Sequence, residues 1–200
     1  MLFCSPALAQ TPTIEFAAGM GNPTTSGPSV ANQVITFQAN ADNPTGNTFT
    51  TFTPTTQATF SLSNQQYTLP TTRIATGMGV SFGAGSNGSG TQANALALFP
   101  LLQTIGSPTD ALYSAVASTV GTGINVALNS ATEVYMSAEP LPATVPANAR
   151  YQYADLTITF NQPIANPVLD FSGLGSTSST SDATGTFPTG IGFTTELDLL

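Results

Sequence analysis

The chain contains no histidine, no lysine and no tryptophan, and its single cysteine is Cys4. Its only cations are Arg73 and Arg150. Each absence excludes a chemistry. Without histidine there is no Ser-His-Asp triad, no Cys-His dyad and no histidine-ligated metal. Without lysine there is no Schiff base and no phosphate-loop lysine. Two arginines against 10 carboxylates give a net charge of -8, which excludes the basic footprint of a nucleic-acid partner. No run approaches the roughly 18 apolar residues of a membrane-spanning helix, so no membrane insertion is expected. Charged residues are only 6% of the 200, where an ordinary soluble domain has about 25%. Hydroxyls and amides supply the polarity instead, through 33 Thr, 18 Ser, 13 Asn and 10 Gln.

Such a polar chain invites the thought of disorder. Disorder arises from low hydrophobicity joined to high charge, however. Here 40% of residues are hydrophobic, including 12 Phe and 5 Tyr spread along the chain. A folded domain is expected, and the length suits one. The first residues, MLFCSPALAQ, read as the tail of a secretory signal, with Ala7-Leu8-Ala9 as the small-x-small cleavage site. That makes residues 1–9 a signal-peptide remnant, with the mature domain running from Gln10 to Leu200. The mature chain would then hold no cysteine and no disulfide.

Period-two alternation dominates the rest of the chain. Strands are expected over 13–17, 34–38, 47–53, 58–62, 67–69 and 79–82, and later over 124–128, 132–137 and 150–160. The sequence RYQYADLTITF, residues 150–160, is the strongest of them. Another strand is expected to start at 167–171, and a last one covers 191–199. Between them lie a glycine-rich loop at 83–90 carrying the sequon Asn87-Gly88-Ser89, a proline-ruled loop at 139–148, and a Gly/Ser/Thr-rich loop at 172–188. Asp110 would cap a short helix in which Leu112, Ala115 and Val116 share a face. The expected fold is therefore all-β: a lectin-like or jelly-roll sandwich of about ten or more strands with one or two short helices. The final strand stops without a turn or polar tail, so a C-terminal truncation is expected.

The segments TEVYMSAEPL, ARYQYADLTITFNQPIANPVLDFSGLG and IGFTTELDLL resemble the lectin-like, non-repetitive domain of CshA-type fibrillar bacterial surface adhesins. The shared core is a strand, a proline, Asn-Pro, a strand and Gly-Leu-Gly. Here these are Phe160, Pro163, Asn166-Pro167, Phe171 and Gly173-Leu174-Gly175. The resemblance covers about a third of the chain. It implies a β-sandwich on a secreted, surface-attached protein that binds a host or neighbour glycoprotein or glycan, with further domains in the same chain. It carries no catalytic residue across. Physically, Pro163 and Pro167 make a stiff, kinked link, and Gly173 and Gly175 allow a tight turn.

Individual residues suggest a few specific chemistries. Calcium needs clustered oxygens, and Glu196 and Asp198 share one strand face, although no D-x-D-x-D-G loop is present. Glycoside hydrolysis needs two carboxylates about 5 to 10 Å apart. Glu133 and Glu139 are the imaginable pair, but they sit in no recognisable motif and no tryptophan platform accompanies them. Either arginine could clamp a carboxylate ligand, but each is expected to pair with an internal acid, for instance Asp155 or Asp170. Tyr135, Tyr151 and Tyr153 could stack on a sugar, or simply pack on the sheet. The sequence thus points to a non-enzymatic adhesin domain, with no cofactor beyond a calcium candidate. A structural spacer or filament module is the alternative, and a carbohydrate-active enzyme the third reading.

Overall fold

A computed structural model of the chain describes residues 14–16, 25–42, 46–86, 92–109, 113, 125–141, 149–164, 169–178 and 191–197. Among these residues the regular structure is almost entirely antiparallel strand, joined by long turns and irregular segments. The strands are β1 (Ile14–Phe16), β2 (Gln33–Asn40), β3 (Phe49–Thr51), β4 (Gln57–Ser63), β5 (Val80–Phe82), β6 (Ala84–Ser86), β7 (Gln92–Ala95), β8 (Val134–Met136), β9 (Asp155–Phe160), β10 (Ser176–Ser178) and β11 (Ile191–Phe193). The only helical piece among them is a single 3-10 turn, Leu102–Thr104. The all-β class expected from the alternation is the class observed.

One five-stranded sheet organises the molecule, in the order β1-β2-β4-β9, with β3 also on β2. β2 is central because it is the longest run of alternating residues. Its N-terminal half pairs with β4, from Gln33↔Phe60 to Thr36↔Gln57. Its C-terminal half lies between β1 and β3, so that Gln38 faces both Glu15 and Thr51. β4 then pairs with β9 over six residues, from Ala58↔Phe160 to Ser63↔Asp155. Side chains directly opposite one another share a face. The rows Ile35–Ala58–Phe160 and Gln33–Phe60–Ile158 therefore lie on one face, and Val34–Thr59–Thr159 on the other.

The apolar face is the core. Ile35, Ala58 and Phe60 of the sheet are buried with Phe82 of β5 and with Leu98 and Phe99. Phe16, Phe37, Leu62, Ile158 and Phe160 pack around them. Burying each of the large side chains contributes about 1.5–3 kcal/mol. Aromatic contacts knit the strands, with Phe16 to Phe37 at 5.0 Å and Phe37 to Phe160 at 6.3 Å between ring centroids. Three two-stranded pairs, β5-β8, β6-β7 and β10-β11, complete the described strands. The crossing of Gly27 over β5 demands glycine: a Cβ there would sit 2.1 Å from the Phe82 carbonyl oxygen.

Several expectations are corrected. Residues 125–128 form a turn, not a strand. The Asn125 carboxamide accepts from Ala127 N (3.0 Å), and the Asn125 carbonyl accepts from Leu128 N and Asn129 N. This is the backbone-mimicking habit of asparagine that favours turns over ladders. Residues 150–154 precede β9 without joining it, and 169–171 belong to no strand pairing among the described residues. Conversely, the glycine-rich 84–86 and the Ser/Thr-rich 176–178 do pair as strands. Gly173 (φ 70) and Gly175 (φ 135) do adopt the conformation that their tight turn requires. The signal remnant with Cys4, the sequon, the helix from Asp110, the Asn166-Pro167 link and Asp198 lie outside the described residues.

Candidate functional site

Four strand ends meet at one end of the molecule. β4 finishes at Ser63, opposite the start of β9 at Asp155. β5 begins at Val80, opposite the end of β8 at Met136. The chain leaving β4 and entering β5, the chain leaving β8 and the chain entering β9 are therefore neighbours. This gathers Asn64–Gly79, Ser137–Glu139 and Arg150–Tyr153 into one loop cluster.

The longest of these loops is held stiffly. Asn64 starts it at φ 50, a conformation that asparagine tolerates better than most residues. Tyr67 to Leu69 then runs antiparallel to Gly77 to Gly79: Leu69 N donates to Gly77 O (3.2 Å), Gly79 N donates to Tyr67 O (2.9 Å), and Thr68 bridges Met78. The tip between them is a turn in which Arg73 N and Ile74 N both donate to Pro70 O. Ile74 is fully buried and anchors the tip. Gln65 clamps the base, because its carboxamide accepts from Val80 N and donates to Val80 O. A loop tied at base, stem and tip loses little entropy on binding a ligand.

On this frame sit aromatic and polar side chains. Tyr67 and Tyr153 face each other at 4.8 Å between ring centroids, with Gly79 against the Tyr153 ring. Gln66 N donates to Tyr153 O (2.8 Å), fixing the two segments in register. Burial, with Tyr67 beside it, pushes the Tyr153 phenol far above its ordinary value. Its hydroxyl is buried and has no hydrogen-bond partner among the described residues. Tyr135 is also raised, first by burial and then by the Glu139 charge, with a Ser137 hydrogen bond acting in the opposite direction. Asp155 collects carboxamides from Asn64 and Gln152. Arg73, largely exposed, pairs with Oε1 of Glu139, whose Oε2 is buried without a hydrogen-bond partner among the described residues. This end carries half-buried tyrosine rings, amides and two charged pairs, the mixture with which polar, ring-shaped ligands are held.

The residues that the sequence suggests distribute unevenly over this end. Tyr135 and Tyr153, Arg73 and Glu139 are brought together, and Tyr151 lies two residues before Tyr153. Tyr67 and Ile74, which make the cluster possible, carry no functional signal in the sequence beyond the short strand candidate at 67–69. Arg150 does pair with an internal acid, but that acid is Glu196 (2.8 Å) rather than Asp155 or Asp170, and the pair is exposed. Asp155 is already satisfied by amides, and Asp170 lies in the separate 169–175 segment. Glu196, expected as a calcium ligand with Asp198, thus faces a guanidinium. Among the described residues no group of three or more Asp, Glu, Cys or His is placed to hold a metal ion. Glu133 and Glu139 lie at opposite ends of β8. Glu133 is half-buried, and burial raises its carboxyl above the usual range. Among the described residues no helix is long and apolar enough to cross a membrane.

No protein-family model, curated protein or solved structure matches the chain.

Proposed function

We propose that this is a lectin-like β-sandwich domain of an exported bacterial surface protein, and that it recognises a glycoprotein or glycan through the loop end at Asn64–Gly79, Ser137–Glu139 and Arg150–Tyr153. It binds and does not catalyse. The observation that carries the reading is the Tyr67–Tyr153 pair on a rigid, hydrogen-bonded loop, surrounded by Gln, Asn and Asp side chains. Amides and carboxylates with defined partners present fixed donors and acceptors to sugar hydroxyls, and the tyrosine rings present apolar faces to pyranose C–H groups. With few charges on the chain, such recognition would depend weakly on salt.

The test is an array of glycans and immobilised glycoproteins probed with the purified chain. Binding is expected to at least one class, and Tyr67→Ala should weaken it by about tenfold or more, as truncation of a tyrosine hot spot does. A spacer module would bind nothing on the array, which would refute the adhesin reading. Release of reducing ends from any bound polysaccharide would instead support the enzyme.

A further inference from the structure

The five-stranded sheet ends at β9, and among the described residues neither a strand nor a backbone hydrogen bond meets its outer edge. The ladder shows which groups that edge presents. Asn161 N donates to Gln57 O (3.1 Å). In an antiparallel ladder bonded and non-bonded pairs alternate. The pairs 59↔159, 61↔157 and 63↔155 are thus the bonded ones. The N–H and C=O groups of Leu156, Ile158 and Phe160 consequently point away from β4, toward the open edge.

This edge lacks the usual protections. It has six residues and no bulge, proline or lysine, and its one charge, Asp155, stands at the end. Leu156 is 37% exposed at the margin of the core face, and Thr157 and Thr159 are exposed on the other face. The sequence is also self-complementary. When β9 is laid antiparallel on a second β9 about Ile158, Ile158 meets Ile158, Thr157 meets Thr159, and Leu156 meets Phe160. Asp155 then meets Asn161, so no like charges face each other despite the net charge of -8. The register also brings the outward-pointing groups of one strand onto those of the other. A two-fold axis perpendicular to the sheet keeps both apolar faces on one side.

We infer that β9 is a homodimerisation edge: two copies of this chain join β9 to β9, antiparallel and centred on Ile158, into one continuous ten-stranded sheet. The joint buries strand edges and no deep pocket, which places it among small, reversible interfaces of under about 1,200 Å². The inference is independent of the ligand-binding reading.

Sedimentation velocity from about 1 to about 500 μM should show a monomer giving way to a dimer. Thr157 and Thr159 are exposed, so paired substitutions there leave the core intact, which circular dichroism checks. T157E/T159E and T157K/T159K each place like charges directly across the joint and should weaken dimerisation at least about tenfold. Mixing the two variants should restore a dimer. In the unsubstituted chain the amides of Leu156, Ile158 and Phe160 should become protected from hydrogen exchange as concentration rises. A monomer at every concentration, a dimer indifferent to both double variants, or edge amides protected at the lowest concentration by the chain's own residues would each overturn the proposal.

Discussion

At the scale of single residues, the chain handles its acids without lysine by using carboxamides. Glu15, on β1, accepts from Asn40 Nδ2 (2.7 Å) on one oxygen and from Asn129 Nδ2 on the other. Asp42 accepts from the backbone and hydroxyl of Thr48. Amides satisfy the oxygens but do not neutralise the charge. Burial therefore raises the Glu15 carboxyl, with the Asn40 hydrogen bond opposing and Asp42 adding repulsion. Burial likewise raises Glu133 and Asp170, whereas hydrogen bonds from Thr48 lower Asp42. A carboxyl whose value is raised in the fold binds its proton more tightly folded than unfolded, so stability grows as pH falls through that raised value. The Asp42 contribution has the opposite sign, present above the ordinary carboxylate range and lost below it. The melting temperature should thus rise from pH 7 to about 5 and fall below about 4. Glu15→Ala leaves the buried Asn129 amide without its acceptor and should cost about 1–3 kcal/mol by denaturant unfolding. The same variant should show a smaller rise between pH 7 and 5. A melting temperature flat across that range would contradict these roles for the buried carboxyls.

At the scale of elements, the loop between β4 and β5 matters most. Its shape depends on Ile74, an apolar side chain driven into the protein from a polar tip. Ile74→Ala should destabilise the chain by about 2–5 kcal/mol, the usual cost of emptying an aliphatic site in a core. It should also speed hydrogen exchange at Leu69 and Gly79, whose amides close the stem, more than at Phe60 in the sheet. Equal acceleration at both places would mean that the loop has no separate anchor. The elements legible in the sequence are those with sustained alternation, 33–40, 57–63 and 155–160, because one face of each packs into the core. The 125–128 turn imitates a strand in sequence, but its alternation is outweighed by the Asn125 side chain bonding its own backbone. Strands β6 and β10, of small and polar residues, carry no apolar signal, and pairing with β7 and β11 alone selects them. The loop cluster is legible only in pieces. Arg73 and Glu139 stand 66 residues apart, and no local period announces that β5–β8 pairing will join them.

At the scale of the whole molecule, scarcity of charge has a structural counterpart. The two cations are both spent on ion pairs, Arg73 with Glu139 and Arg150 with Glu196, and both arginines belong to the loop end. The rest of the described surface is mostly hydroxyl, amide and scattered apolar side chains, exemplified by the exposed Thr157 and Thr159, with carboxylates such as Asp170 among them. With so few cations on that surface, the ligand proposed above would be recognised mainly by shape and hydrogen bonding at short range. A glycan meets that description. Dimerisation through β9 would set two loop ends at opposite ends of a shared sheet, allowing one dimer to engage two sites on a large ligand.

If the loop end is where the ligand lies, titrating isotope-labelled protein with a glycan found on the array, while following backbone amide resonances, tests it most directly. Shifts should concentrate at Asn64–Gly79, Ser137–Glu139 and Gln152–Tyr153, with the 169–175 segment and the Thr157–Thr159 face unmoved. Shifts centred on either of those last two surfaces, with the loop end silent, would contradict a ligand site at the loop end.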